Sequence, residues 1–147
     1  RLRYCSGTAN YTLPFALYKP RKSAGSLPLV IFLHGYTNGG EENIVPFTQC
    51  LNLVNKIKRN IKNKPCMILV PSIPKYSSFF TPKDGSNNSF EDNFNGLFNK
   101  LIKEYPIDKN RVYIIGSSNG AGGTWSQLRL HPKEQTLPII HNHLFRV

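Results

Sequence analysis

Five successive apolar residues, Leu29-Val30-Ile31-Phe32-Leu33, bounded by Pro28 and Gly35, constrain this chain more than any other feature. A half-exposed strand alternates apolar with polar side chains. An unbroken apolar run of this length reads instead as a strand covered on both faces, the environment of a parallel sheet. Met67-Ile68-Leu69-Val70, stopped by Pro71, has the same character. Arg111-Val112-Tyr113-Ile114-Ile115, after a turn at residues 108–110, reads as a further strand.

Helical patterns separate these runs. Ile44, Phe47, Leu51, Val54, Ile57 and Ile61 recur in steps of three and four and share one helix face. Glu41 and Glu42 lie at the positive end of that helix, Pro46 fits its first turn, and residues 63–65 stop it. Phe90, Phe94, Leu97, Phe98, Leu101 and Tyr105 form a second stripe that Pro106 ends, with Ser89 as its cap and Asp92 reaching back. Strand, helix, strand, helix, strand is the order of right-handed crossovers in an open α/β sheet. Residues 11–18 (YTLPFALY) read as an edge hairpin, where Pro14 is tolerated, and residues 73–88 as a long loop. At 147 residues, without an internal repeat, the chain reads as one domain.

Composition narrows the partners. The net charge of +11 resides largely in Lys56, Lys58, Arg59, Lys62 and Lys64, at the negative end of the first helix. A solvated helix end explains them, and no nucleic-acid-binding motif accompanies them, so no nucleic acid is expected as a partner. The apolar runs fall far short of the ~20 residues that span a bilayer, so no membrane partner is expected. Cys5, Cys50 and Cys66 show no zinc-knuckle or redox spacing, and one disulfide plus a thiol, or three thiols, remain open. The histidines and carboxylates lack zinc-ligand spacing, and neither a metal nor another cofactor is expected. Two Asn-x-Ser/Thr triplets, at Asn10 and Asn87, weigh little in so Asn-rich a chain.

The chemistry concentrates in Gly116-Ser117-Ser118-Asn119-Gly120, which follows the third strand and opens a helix running as far as Leu130. Bare Gly-x-Ser-x-Gly is weak, arising by chance in roughly one chain in twenty of this length. Between a buried strand and a helix start it is the pattern of a nucleophile elbow. Gly116 and Gly120 are needed because a β-carbon would clash in so tight a turn, and Ser118 is lifted out as the candidate nucleophile. His34-Gly35-Tyr36 ends the earlier buried strand. The backbone N–H groups of Tyr36 and Asn119 are the candidate oxyanion donors, and His34 reads as a residue that holds the loop.

Leu13-Pro14-Phe15 with Tyr18 and Pro20, residues 27–36, and residues 107–114 leading into 116–125 together resemble the polyhydroxybutyrate-depolymerase and feruloyl-esterase-like branch of the α/β-hydrolases. Single-domain esterases of prolyl-oligopeptidase-like type share much of the pattern. The resemblance covers about residues 13–132; it departs at Asn119 and Ala121, where relatives typically carry methionine and glycine.

The resemblance implies a three-layer α/β sandwich with a mostly parallel sheet, in which the strands at Leu29 and Arg111 are neighbours and bring Tyr36 to Ser118. It implies hydrolysis of a small-molecule or polymeric carboxylic ester through an acyl-serine, without a cofactor, in a secreted or, alternatively, cytoplasmic protein. Its triad runs Ser, then acid, then His. Beyond Ser118 the only acid is Glu134, and the histidines are His131, His141 and His143, none well placed as a base. The expectation is a partial domain over 1–147, with C-terminal strands missing, the strand at Arg111 left without its outer neighbour, and no activity alone. The rivals are a serine peptidase-like hydrolase and a catalytically dead module that binds a ligand with Tyr76, Phe79 and Phe80.

Overall fold

The computed structural model describes residues 2–4, 12–21, 25–36, 52, 55, 59, 65–74, 77–79, 89–130 and 136–141, with the backbone alone at 2–4, 89 and 136–141. Among them are the strands β1 (Leu2–Tyr4), β2 (Leu13–Tyr18), β3 (Leu27–Leu33), β4 (Met67–Pro71), β5 (Ile107–Ser117) and β6 (Thr136–His141), and the helices α1 (Ser89–Glu104) and α2 (Asn119–Leu130). The strands form one sheet in the order β1-β2-β4-β3-β5-β6. β4, β3, β5 and β6 are parallel to one another, and β1 and β2 are the antiparallel members.

The apolar run at Leu29 is central because it has two faces to bury. β3 lies between β4, through Leu29↔Met67 and Ile31↔Leu69, and β5, through Ile31↔Ile114 and Leu33↔Gly116. The strand's period of two sends Leu29, Ile31 and Leu33 into one cluster with Met67 and Leu69, and Val30 and Phe32 into another with Ile68, Val70 and Ile115. Phe90, Phe94, Leu97 and Leu101 bring α1 onto the first cluster, which fits the stripe read from the sequence. The opposite face is buried as well, through Val30, Phe32, Ile68, Val70 and Ile115. Of the first helix read from the sequence, Asn52, Asn55 and Arg59 are helical and exposed. The remaining positions of that helix, and most of its basic cluster, lie outside the described residues.

Three local expectations are corrected. An antiparallel pair, β1 with β2, does lie at the sheet edge, but Pro14 is on its inner strand, since β2 is paired with β1 and with β4. Pro14 is tolerated for another reason. Its carbonyl accepts from Ser72 N–H at 2.8 Å, just past the last β2–β4 pair, Phe15↔Pro71, so the missing donor falls where that ladder ends. β5 does have an outer neighbour: β6 pairs with it from Val112↔Thr136 to Ser117↔His141. The short segment after α2 supplies enough extended backbone to cover that edge. Lastly, the turn at residues 108–110 sits inside β5 as an irregularity between Leu27↔Ile107 and Leu29↔Val112. Asp108 closes it, accepting from Arg111 Nε at 2.6 Å and from Asn110 N–H at 2.9 Å, and the bond from Arg111 holds its carboxyl below the usual carboxylate range.

Leu97 is fully buried on the inner face of α1, whereas Asn99 on the same helix is exposed. In urea unfolding, Leu97→Ala should cost about 2–5 kcal/mol, and Asn99→Ala should stay within about 0.5 kcal/mol.

Candidate active site

β3 connects to β4 on one side, and β5 connects to β6 on the other, so the chain leaves the carboxyl ends of these two adjacent strands in opposite directions. That divergence opens the crevice in which open α/β sheets bind their ligands. Tyr36 stands on the exit from β3 and Ser118 on the exit from β5, as the expected strand adjacency requires.

The turn at Ser118 is sterically tight. Ser118 is exposed and has φ of 52°, the left-handed region, and it is the non-glycine residue that adopts it among those described. Such a conformation costs on the order of 1–2 kcal/mol for an L-residue and persists only where the surroundings enforce it. Here two backbone contacts do so. A β-carbon on Gly116 would fall on the Gly120 carbonyl, and one on Gly120 would fall on the Leu33 carbonyl and 2.8 Å from the His34 oxygen. The start of α2 is thereby pressed against both β5 and the end of β3.

That contact fixes the helix end beside Ser118. The Ser118 carbonyl accepts from Ala121 N–H at 2.9 Å and from Gly122 N–H at 3.3 Å, the first bonds of α2. The N–H groups of Asn119 and Gly120 precede this ladder and have no intrahelical acceptor, at the positive end of the helix dipole. Thr124 Oγ1 donates back to Gly120 O at 3.0 Å. Farther along, Gln127 Nε2 donates to Glu91 Oε2 at 2.6 Å, and Asn95 Nδ2 to Glu91 Oε1 at 3.1 Å, joining α2 to α1.

On the β3 side the fixed point is His34, fully buried. Its Nδ1–H donates to Gly35 O at 2.7 Å and its Nε2 accepts from Ile73 N–H at 3.2 Å, so both ring nitrogens are engaged and one neutral tautomer is selected. In a trans peptide the C=O and N–H point oppositely, so holding Gly35 O also sets the direction of Tyr36 N–H. Burial pushes the His34 pKa down, against a smaller upward pull from the Gly35 bond. His34 therefore holds the loop and is not placed to accept the proton of Ser118.

Phe79 packs edge-on to His34, with ring centroids 4.9 Å apart, and edge-on to Phe90 at 4.8 Å. A β-carbon on Gly123 would fall on Phe79 Cβ. Phe79 is thus a fully buried core residue, which removes it from the aromatics expected to bind a ligand; Tyr76 and Phe80 lie outside the described residues. A contact the sequence did not reveal joins the same segment to the turn: Asn119 Nδ2 donates to Ser77 O at 3.0 Å, and Ser78 Oγ to Asn119 Oδ1 at 3.4 Å. The one available signal was a polar residue where relatives carry methionine.

No group of three metal-ligating side chains occurs among the described residues. Cys66 is a buried thiol outside any disulfide, while Cys5 and Cys50 lie outside the described residues. So do His131, Glu134 and His143; His141 closes β6 in register with Ser117.

Two outcomes test this geometry. Ser118→Gly should raise stability by up to about 1 kcal/mol by relieving the left-handed strain, whereas Gly120→Ala should cost about 3 kcal/mol or prevent folding, both read from equilibrium unfolding. The His34 pKa is lowered on folding, so the unfolded chain binds the extra proton first. Stability should be full above about pH 6.5 and fall as the pH drops below it toward the folded-state pKa, a slope that His34→Gln should abolish in unfolding curves taken across that window.

No family model and no curated protein sequence matches the chain. Solved structures do. A thermostable esterase is 30% identical with a TM-score of 0.75, over 90% of this chain and 38% of its own length. A ferulic acid esterase is 15% identical with a TM-score of 0.68, over 90% of this chain and 54% of that one. An S-formylglutathione hydrolase from Agrobacterium tumefaciens is 17% identical with a TM-score of 0.67, over 95% and 55%. The chain thus spans about half or less of the length of each. With these likenesses joined to the strand order and the tight turn after β5, the chain has an α/β-hydrolase-type fold and resembles esterases of that fold over part of their length.

Proposed function

We propose that this chain carries the nucleophile and oxyanion-binding part of a serine hydrolase that cleaves carboxylic esters. The observation that carries the reading is the exposed, strained Ser118 at the crevice between β3 and β5, next to the unladdered N–H of Asn119. Ser118 Oγ attacks the ester carbonyl, and the oxygen that becomes negative is met by the N–H groups of Tyr36 and Asn119. Preformed donors of this kind contribute about 3–4 kcal/mol each to the transition state, because they need not reorient as charge develops. Collapse of the intermediate breaks the bond to the alcohol and leaves an acyl-serine, which water then hydrolyses to free acid and Ser118.

The proton leaving Ser118 passes to a base and then to the departing alcohol. By the resemblance that base is a histidine held by an acid, both following Ser118 in the whole protein. Without such a pair Ser118 is an ordinary hydroxyl, and ester turnover falls by orders of magnitude. The names of the similar structures favour a carboxylic ester, one of an aromatic acid such as ferulate included.

In the natural full-length protein, Ser118→Ala should lower the turnover of p-nitrophenyl esters by about a thousandfold or more and remove labelling by a fluorophosphonate. Ester turnover should exceed that of amides with the same acyl group. Labelling and turnover that survive Ser118→Ala would refute the assignment.

A further inference from the structure

The loop after β4 approaches the catalytic turn through three anchors, on the exit from β3, on α1 and on α2. Ile73 N–H is bound to His34, Phe79 is inserted between His34, Phe90 and Gly123, and the carbonyl of Ser77 and the hydroxyl of Ser78 meet the amide of Asn119. Ser77 N–H also donates to Pro74 O at 3.1 Å, closing a turn within the loop. Packing alone accounts for Phe79. It does not account for a side-chain amide, buried at the first position of α2, whose donor and acceptor both go to a segment some forty residues away.

From this juxtaposition we propose that the Asn119 side chain is a positioning residue that ties residues 77–78 against the nucleophile turn, making them a wall of the site that limits how bulky an acyl group reaches Ser118. The backbone and the side chain of Asn119 then do separate work. The N–H is free to face the substrate because the amide group is turned away from it, toward Ser77. Ser78 is exposed on the solvent side of this tie, one residue from the carbonyl that Asn119 holds, so it borders the entrance instead of filling the core. An apolar side chain at position 119 has no such bond to make, and the contacts of Phe79 and Ile73 do not replace it at the Ser77 carbonyl.

The selectivity part of this inference rests on the serine-hydrolase reading; the tie does not, and the test separates them. In the natural full-length protein, Asn119→Ala and the isosteric Asn119→Asp, which loses the donor to Ser77 O, are compared with the unaltered protein. Hydrogen exchange at the Ser77 amide should quicken by about three- to tenfold in both, the change expected for one net hydrogen bond. The ratio of phosphonylation rates at Ser118, bulky aryl over small alkyl fluorophosphonate, should rise by a similar factor. Unchanged exchange at Ser77 in both variants overturns the tie. Quickened exchange with an unchanged ratio overturns the role in selectivity. Quickened exchange in a protein that no fluorophosphonate labels overturns the hydrolase reading and leaves the tie standing.

Discussion

The site depends on one close approach, the backbone of Gly120 against the carbonyls of Leu33 and His34. No side chain fits between them, so the first turn of α2 and the end of β3 are held as one piece. Because Leu33 is also paired with Gly116 across the sheet, the path from β5 through Ser118 into α2 is closed at three points. The left-handed conformation of Ser118 follows from that closure. Its strain, on the order of 1–2 kcal/mol, is borne by a sheet with both faces buried.

The rest of α2 obeys the same demand. Its buried residues are Asn119, Gly120, Ala121, Gly123, Thr124, Ser126 and Gln127, which are small or polar, while Trp125 points outward at 61% exposure. An apolar stripe would have held the helix farther from the sheet. Small residues bring the backbone in, Gly123 admits Phe79, and the polar groups are satisfied by Gly120 O within the helix and by Glu91 on α1. On the opposite side of the crevice, His34 does comparable work with a single ring, whose two nitrogens join the exits of β3 and β4. Burial keeps that ring neutral, and neutrality is what allows one nitrogen to donate while the other accepts.

The order of elements was legible because two periods are strong in this sequence. Continuous apolar runs identify β3 and β4, steps of three and four identify α1, and the Gly-x-Ser-x-Gly pattern between strand and helix locates the turn at Ser118. These signals are local and reflect which faces must be buried. The sequence also determined that the flanking glycines tolerate no side chain, since a turn that short leaves no room for one.

Pairing and long-range contact were decided by the tertiary structure. Residues 11–18 read as an edge hairpin, yet within the β1–β2 pair at the sheet edge it is β1 that is outermost and β4 takes the second side of β2, because a strand's local sequence does not specify what lies beside it. Leu137-Pro138-Ile139-Ile140 can begin a strand by its composition, but only the sheet shows that Thr136–His141 covers the edge of β5. Phe79 reads as a loop aromatic but is core, since Gly123 leaves a space for it on another element. The amide of Asn119 finds Ser77 only after two crossovers bring the ends of β4 and β5 to the same side of the sheet. Sequence fixes the periodicity and the sterics of each segment, and contacts between residues forty positions apart exist only once the sheet has set its order.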